Sequence, residues 1–229
     1  MKSSVTTRIF PTCLSKKLMQ ICEIFFSLQG ESSYAGLPCI FIRLAGCNLT
    51  CNYCDTAYSR EPGRDYCLDE ILREIGKHDC KLVEITGGEP LLQQEVLELM
   101  EHLEKHNYTV LLETNGTQSI QNVPNFVHVI IDVKLEGSGH SGSFMEANLQ
   151  WLRQGWDEIK FVVSDETDFG AAISFLKQHR LSGHTILFSP VWEKLQLPQL
   201  ADWIKQTGMP LRLNLQLHKV IWDKQQRGV

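Results

Sequence analysis

The chain has 229 residues, 43% of them hydrophobic and 21% charged, with a net charge of -5 at pH 7, a balance that suits a globular protein and provides no global basic field to recruit nucleic acid. No stretch of eighteen apolar residues is present, so no membrane-spanning helix is expected. Residues 1–19 lack the apolar middle of a secretory signal, so a cytoplasmic protein is expected, in which eight cysteines point to metal or thiol chemistry more than to disulfides.

In chain order, residues 1–20 read as an N-terminal extension of unknown role. Short apolar runs rich in β-branched and aromatic residues then predict strands over 21–27, 39–44, 82–86, 109–113, 127–133, 158–163, 185–188 and 211–215. Amphipathic stretches predict helices over 68–75, 91–105, 143–153, 168–179 (capped by Thr167) and 197–207. Strand alternating with helix predicts one α/β domain spanning 1–229, with parallel pairing through right-handed crossovers. Near-continuous apolar strands fit a sheet covered on one or both faces.

The chemically informative residues fall at strand ends. A cysteine loop follows 39–44, Gly87-Gly88-Glu89-Pro90 follows 82–86, and Thr114-Asn115-Gly116 follows 109–113. Lys134 follows 127–133 and Pro190 follows 185–188. Sites of α/β folds assemble at the carboxyl ends of parallel strands, so these loops are expected on one rim.

Cys47, Cys51 and Cys54 are spaced C-x3-C-x2-C, without a fourth cysteine nearby. Three thiolates so placed can each take one iron of a cubane cluster and leave the fourth iron open to a ligand. A zinc site would need a fourth ligand, which His78 or Cys80 supplies only by folding back. An electron-carrying ferredoxin would bring four cysteines per cluster. The remaining Cys13, Cys22, Cys39, Cys67 and Cys80 read as core or surface thiols. The paired glycines before Glu89 permit close backbone approach to a ligand, and the carboxylate can accept from an ammonium group. Gln29, Glu31 and Arg43 are suited to a polar heterocycle and a carboxylate, but composition alone favours a hairpin turn at Gly30 and an exposed or salt-bridged arginine.

Taken together, Cys47-x3-Cys51-x2-Cys54 and Thr86-Gly87-Gly88-Glu89-Pro90 resemble the radical S-adenosylmethionine superfamily. Within it the chain is similar to the 7-carboxy-7-deazaguanine synthases. That likeness rests on Ser27-Leu28-Gln29-Gly30-Glu31, Phe41-Ile42-Arg43, Cys54-Asp55-Thr56, Glu113-Thr114-Asn115-Gly116-Thr117, Asp132-Val133-Lys134 and Gln216-x-His218-Lys219. The resemblance implies an incomplete parallel β/α barrel and a 4Fe–4S cluster on Cys47, Cys51 and Cys54. S-adenosylmethionine would chelate the open iron, and its reductive cleavage would give a 5′-deoxyadenosyl radical. The implied reaction converts 6-carboxy-5,6,7,8-tetrahydropterin to 7-carboxy-7-deazaguanine, with loss of ammonia and regeneration of S-adenosylmethionine, as a step toward queuosine and other 7-deazapurines.

Implied roles follow residue by residue. Tyr53, Asp55, Gly88, Glu89, Asp132, Val133, Lys134, Ser189 and Pro190 would hold S-adenosylmethionine, with Val191 and Trp192 completing that loop. Leu28, Gln29, Gly30, Arg43 and Thr86 would hold the pterin, and Thr56 a magnesium ion. A flavodoxin or ferredoxin reductant and a homodimer are also implied. Departures from the family pattern are the extension before Glu23, the stretch 135–139 and the tail after Lys219. A glycyl-radical enzyme activase shares the cluster loop but acts on protein, for which Gln29, Glu31 and Arg43 are not needed. An electron carrier or a zinc-stabilised module is the alternative without catalysis.

Overall fold

The computed structural model describes residues 17–223 and 226–229; most of the expected N-terminal extension, with Cys13, lies outside the described residues. Among the described residues nine strands form one sheet, in the order β3-β1-β2-β4-β5-β6-β7-β8-β9. The first two, β1 (Leu18–Leu28) and β2 (Pro38–Leu44), are an antiparallel hairpin, and β3 (Arg64–Cys67) adds antiparallel to the outer side of β1. From β2 onward every pairing is parallel, through β4 (Leu82–Gly87), β5 (Thr109–Thr114), β6 (His128–Asp132), β7 (Glu158–Val163), β8 (Thr185–Pro190) and β9 (Leu211–Leu213). The edge strands β3 and β9 are not paired with each other, so the sheet is not closed into a barrel.

Strand side chains alternate between the two faces, and the alternation divides labour. Ile40, Ile42, Val83, Ile85, Val110, Leu112, Ile131, Ile159, Phe161 and Phe188 point outward into one large apolar core. Four helices cover that face: α1 (Leu68–Ile75), α2 (Glu95–Lys105), α3 (Glu166–Gln178) and α4 (Leu197–Thr207), contributing Ile71, Leu99, Leu103, Leu176 and Leu200 among others. Each large aliphatic side chain buried there stabilises the fold by about 1.5–3 kcal/mol. The inner face carries a smaller apolar plug of Cys39, Phe41, Leu82, Leu111, Ile130 and Leu187. Closer to the carboxyl ends of the strands its residues turn polar: Arg43, Thr86, Glu113, Asp132 and Lys160.

Several boundaries differ from expectation for identifiable reasons. Residues 18–20 belong to β1, not to the extension. The helix expected from residue 91 starts at Glu95, because Pro90–Leu92 forms a 3₁₀ turn closed on the Glu89 side chain, which accepts from Leu91 N. Asp165, not Thr167, caps α3 by accepting from Asp168 N. Residues 143–153 do not form an α-helix; only Glu146–Gln150 makes a 3₁₀ turn. The buried Asn148 there donates to Gly116 O (3.1 Å) and Gln118 O (2.9 Å) and accepts from Ile120 N (3.0 Å), tying the segment to the loop after β5. The short, polar β3 and the five-residue helix α5 (Leu217–Ile221) were not expected. Cys67, read as an ordinary thiol, is disulfide-bonded.

Candidate active site

At the carboxyl rim the loop after β2 turns back over the sheet through Gly46, at φ +90°, before reaching Cys47. Gly46 N donates to Ser59 O (2.7 Å) and Gly46 O accepts from Glu89 N (2.8 Å), so the loop lies directly on the end of β4. This contact needs the bare backbone of Gly88, since an added Cβ would run into Gly46 O and Cys47 Cβ. The far side of the loop is held by residues 137–140. Asn52 N donates to Ser138 O (3.0 Å) and Thr50 N to His140 Nε2 (2.9 Å).

Cys47, Cys51 and Cys54 all line a cavity of about 680 Å³ that occupies the concave face of the sheet, a volume suited to small organic ligands. Burial raises the Cys47 and Cys51 thiols above the ordinary range. Leu49 N reaches Cys47 Sγ at 3.4 Å. Among the described residues no three His, Cys, Asp or Glu side chains close on a single ion. Three thiolates at this rim have the number and spacing that a cubane with one open iron requires.

The residues expected near S-adenosylmethionine divide. Tyr53, Asp55, Gly88, Asp132 and Lys134 line the cavity. Lys134 Nζ pairs with Asp132 Oδ2 at 2.7 Å, whereas the buried Asp132 Oδ1 has no hydrogen-bond partner. An acceptor left open in this way suits a donor on a bound cofactor. Burial and the adjacent Asp132 carboxylate push the Tyr53 hydroxyl well up. Glu89 does not line the cavity. It is fully buried, accepting from Thr114 Oγ1 (2.8 Å) and Leu91 N (3.0 Å) on one oxygen and from Asn115 N (2.7 Å) on the other. Its carboxylate therefore staples the turns after β4 and β5. The Val133 side chain packs in the outer core. Ser189 is fully buried beneath Asn214, whose Nδ2 donates to its hydroxyl (2.9 Å), and neither Ser189 nor Pro190 lines the cavity; Val191 and Trp192 do.

Leu28, Gln29, Gly30, Arg43 and Thr86 all line the same cavity. Arg43 and Thr86 are register partners on β2 and β4. Arg43 Nε donates to Glu23 Oε1 (2.8 Å), which also accepts from Tyr58 Oη (2.8 Å), so the end of the guanidinium is left to the cavity. Thr56 lines the cavity too, and its hydroxyl does not cap the short 3₁₀ turn that follows it.

Sequence reasoning gave no role to several residues that line this cavity. Glu84, Glu113 and Lys160 form its floor, and Val162 and Tyr58 its walls. At the open side, α5 bridges two loops. Leu217 N donates to Gly30 O (3.0 Å), while Lys219 Nζ lies 2.7 Å and His218 Nε2 3.7 Å from Asp55 Oδ2. Burial opposes the charge on Asp55, yet these partners hold its carboxyl well below the usual range.

Comparison with known proteins agrees with this geometry. The family model described as the Radical SAM superfamily matches residues 41–136. A 7-carboxy-7-deazaguanine synthase of Koribacter versatilis is 47% identical, over 92% of this chain and all of that protein. One from Chlorobaculum tepidum is 43% identical, over 92% of this chain and 97% of that protein. The crystal structure of QueE from Escherichia coli superposes with a TM-score of 0.72 at 26% identity, over 87% of this chain and 94% of that one.

Proposed function

The chain belongs to the 7-carboxy-7-deazaguanine synthase family of radical S-adenosylmethionine enzymes, and we propose that the concave face of its sheet is where 6-carboxy-5,6,7,8-tetrahydropterin is bound and converted to 7-carboxy-7-deazaguanine with loss of ammonia. The observation that carries this reading is the single cavity shared by the three rim cysteines and the polar residues of the inner face. A 4Fe–4S cluster and S-adenosylmethionine go with the family; when bound and reduced they supply the radical that takes hydrogen from the substrate.

The chain's own residues then have distinct tasks. Cys47, Cys51 and Cys54 would ligate the cluster at the rim of the cavity they line. Backbone at Gly88, the unpaired Asp132 Oδ1, Lys134, Tyr53 and Asp55 bind and orient S-adenosylmethionine. The ammonium contact expected of Glu89 passes to the neighbouring backbone, because that carboxylate has no face on the cavity. Val133, Ser189 and Pro190 contribute through backbone and by supporting Lys134, Val191 and Trp192. Arg43, fixed by Glu23, takes the substrate carboxylate, and Leu28, Gln29, Gly30 and Thr86 bind the ring. Thr56, which lines the cavity, would offer its hydroxyl to a magnesium ion, a hard cation that favours oxygen ligands. A flavodoxin or ferredoxin reductant, a cytoplasmic location and a homodimer complete the reading.

The test is anaerobic incubation of reconstituted protein with reductant, S-adenosylmethionine, magnesium and carboxytetrahydropterin, followed by mass spectrometry. The deazaguanine product is expected. Deoxyadenosine formed without it would keep the superfamily chemistry and reject this substrate.

A further inference from the structure

The floor of the cavity contains one ammonium group that none of the roles above uses. Lys160, midway along β7, is 4% exposed. Its Nζ lies 2.6 Å from Glu31 Oε2 and 2.6 Å from Glu113 Oε1. These carboxylates arrive from different elements, Glu31 from the β1–β2 turn and Glu113 from β5. Glu84, one strand further along on β4 and 4% exposed, accepts from Gln29 Nε2.

The two partners of Lys160 are not equivalent. Glu31 has every oxygen engaged: Gln216 Nε2 donates to Oε1 (3.0 Å) and Asn214 Nδ2 to Oε2 (3.1 Å). Glu113 is held by Lys160 on Oε1, while Oε2 has only a long contact to Thr86 Oγ1, 3.5 Å. Three carboxylates thus share one ammonium, and the oxygen least engaged with protein belongs to Glu113. Burial first, and then the Glu113 charge, push the Glu84 carboxyl up to about 8, so at neutral pH it carries a proton. Burial works against the charge of Glu31, but Lys160, His218 and the Gln216 amide outweigh it and keep the carboxyl below its ordinary range. Asp132 on β6 also faces Lys160 but is paired with Lys134. The remaining unbalanced negative charge is that of Glu113.

We propose that Lys160 is a positioning residue for substrate recognition: it fixes Glu31 and turns Glu113 Oε2 toward the cavity as an anionic acceptor for a ring edge that presents N–H donors. This rests on the functional reading above, because the reduced pterin carries such an edge in its 2-amino-pyrimidinone ring. The same floor disfavours a ring presenting acceptors there, since two unshared lone-pair groups would meet without a proton between them. Lys160 need not touch the substrate, since its ammonium is already paired with Glu31 and Glu113.

The test is Lys160→Met in the reconstituted holoenzyme, alongside wild type. Cluster absorbance is expected to be retained and KM for carboxytetrahydropterin to rise about tenfold or more, the scale of one charged hydrogen bond, with kcat changed less. A KM within twofold of wild type, or a kcat that falls as much as KM rises, overturns the inference. Should the single variant fail to hold its cluster, the charge-balanced pair Lys160→Met with Glu31→Gln takes its place. Its KM is expected to stay raised, and a wild-type KM in that pair overturns the inference equally. Failure of wild type to turn over carboxytetrahydropterin would instead reject the substrate reading itself.

Discussion

Glu84 shows how the inner face distributes charge at the scale of a residue. Its carboxyl is pushed up to about 8 when folded and returns to about 4.3 in an unfolded chain. Between those values the unfolded state gives up a proton that the folded state keeps, so stability falls as pH rises through the window, by at most about 1.4 kcal/mol per pH unit. Glu84→Gln removes this dependence while keeping an acceptor for Gln29. In urea denaturation the variant should gain on wild type steadily from pH 5 to pH 8. A difference independent of pH would contradict the neutral carboxyl. Thr56→Ala tests a second residue. It should keep the cluster but lose most of the response of turnover to magnesium, and an unchanged magnesium titration would remove Thr56 from the metal site. That Cys47, Cys51, Cys54, Arg43 and Thr86 share one cavity was legible because motif and strand end coincide. Glu84 and Lys160 were visible only as charges inside apolar runs, and their significance needed the register that puts them on the inner face. The motif position of Glu89 does not reveal the three donors that its carboxylate accepts from.

At the scale of the element, α5 acts as a clasp between the β1–β2 turn at Gly30 and the cysteine loop at Asp55. Gly30 is packed so tightly beneath it that an added Cβ would stand 2.8 Å from His218 Nδ1 and 3.3 Å from His218 N. Gly30→Ala should therefore displace His218 and loosen Lys219 from Asp55. Overpacking of this kind costs about 1–3 kcal/mol, so KM for substrate should rise on the order of tenfold, with faster amide exchange in residues 217–221 and cluster content unchanged. Unaltered exchange there would show that the clasp does not form. The helices with a clear apolar stripe, α1 and α4, were read from sequence with the bounds they adopt. The clasp was not, since five residues are too few for periodicity, and 143–153 was misread because side-chain bonds from Asn148 override its amphipathic pattern.

At the scale of the whole molecule, the outer core holds the sheet open while the inner face stays free for chemistry. Leu99 on α2 is fully buried in that core. Leu99→Ala should lower stability by about 2–5 kcal/mol in urea denaturation, with KM for both ligands unchanged; a shifted KM with little loss of stability would mean that the outer layer also shapes the site. The alternation of strand and helix was enough to predict the parallel sheet. It did not predict the antiparallel hairpin β1–β2, which brings Gln29 and Glu31 over the floor. In the proposed function one cavity both generates the radical and confines it to the substrate. The most direct measurement is the number of 7-carboxy-7-deazaguanine molecules formed per S-adenosylmethionine consumed, counted anaerobically with reductant and carboxytetrahydropterin. A single site in which S-adenosylmethionine is regenerated predicts many products for each S-adenosylmethionine lost, with little 5′-deoxyadenosine. One deoxyadenosine per product, or deoxyadenosine with no deazaguanine at all, would contradict it.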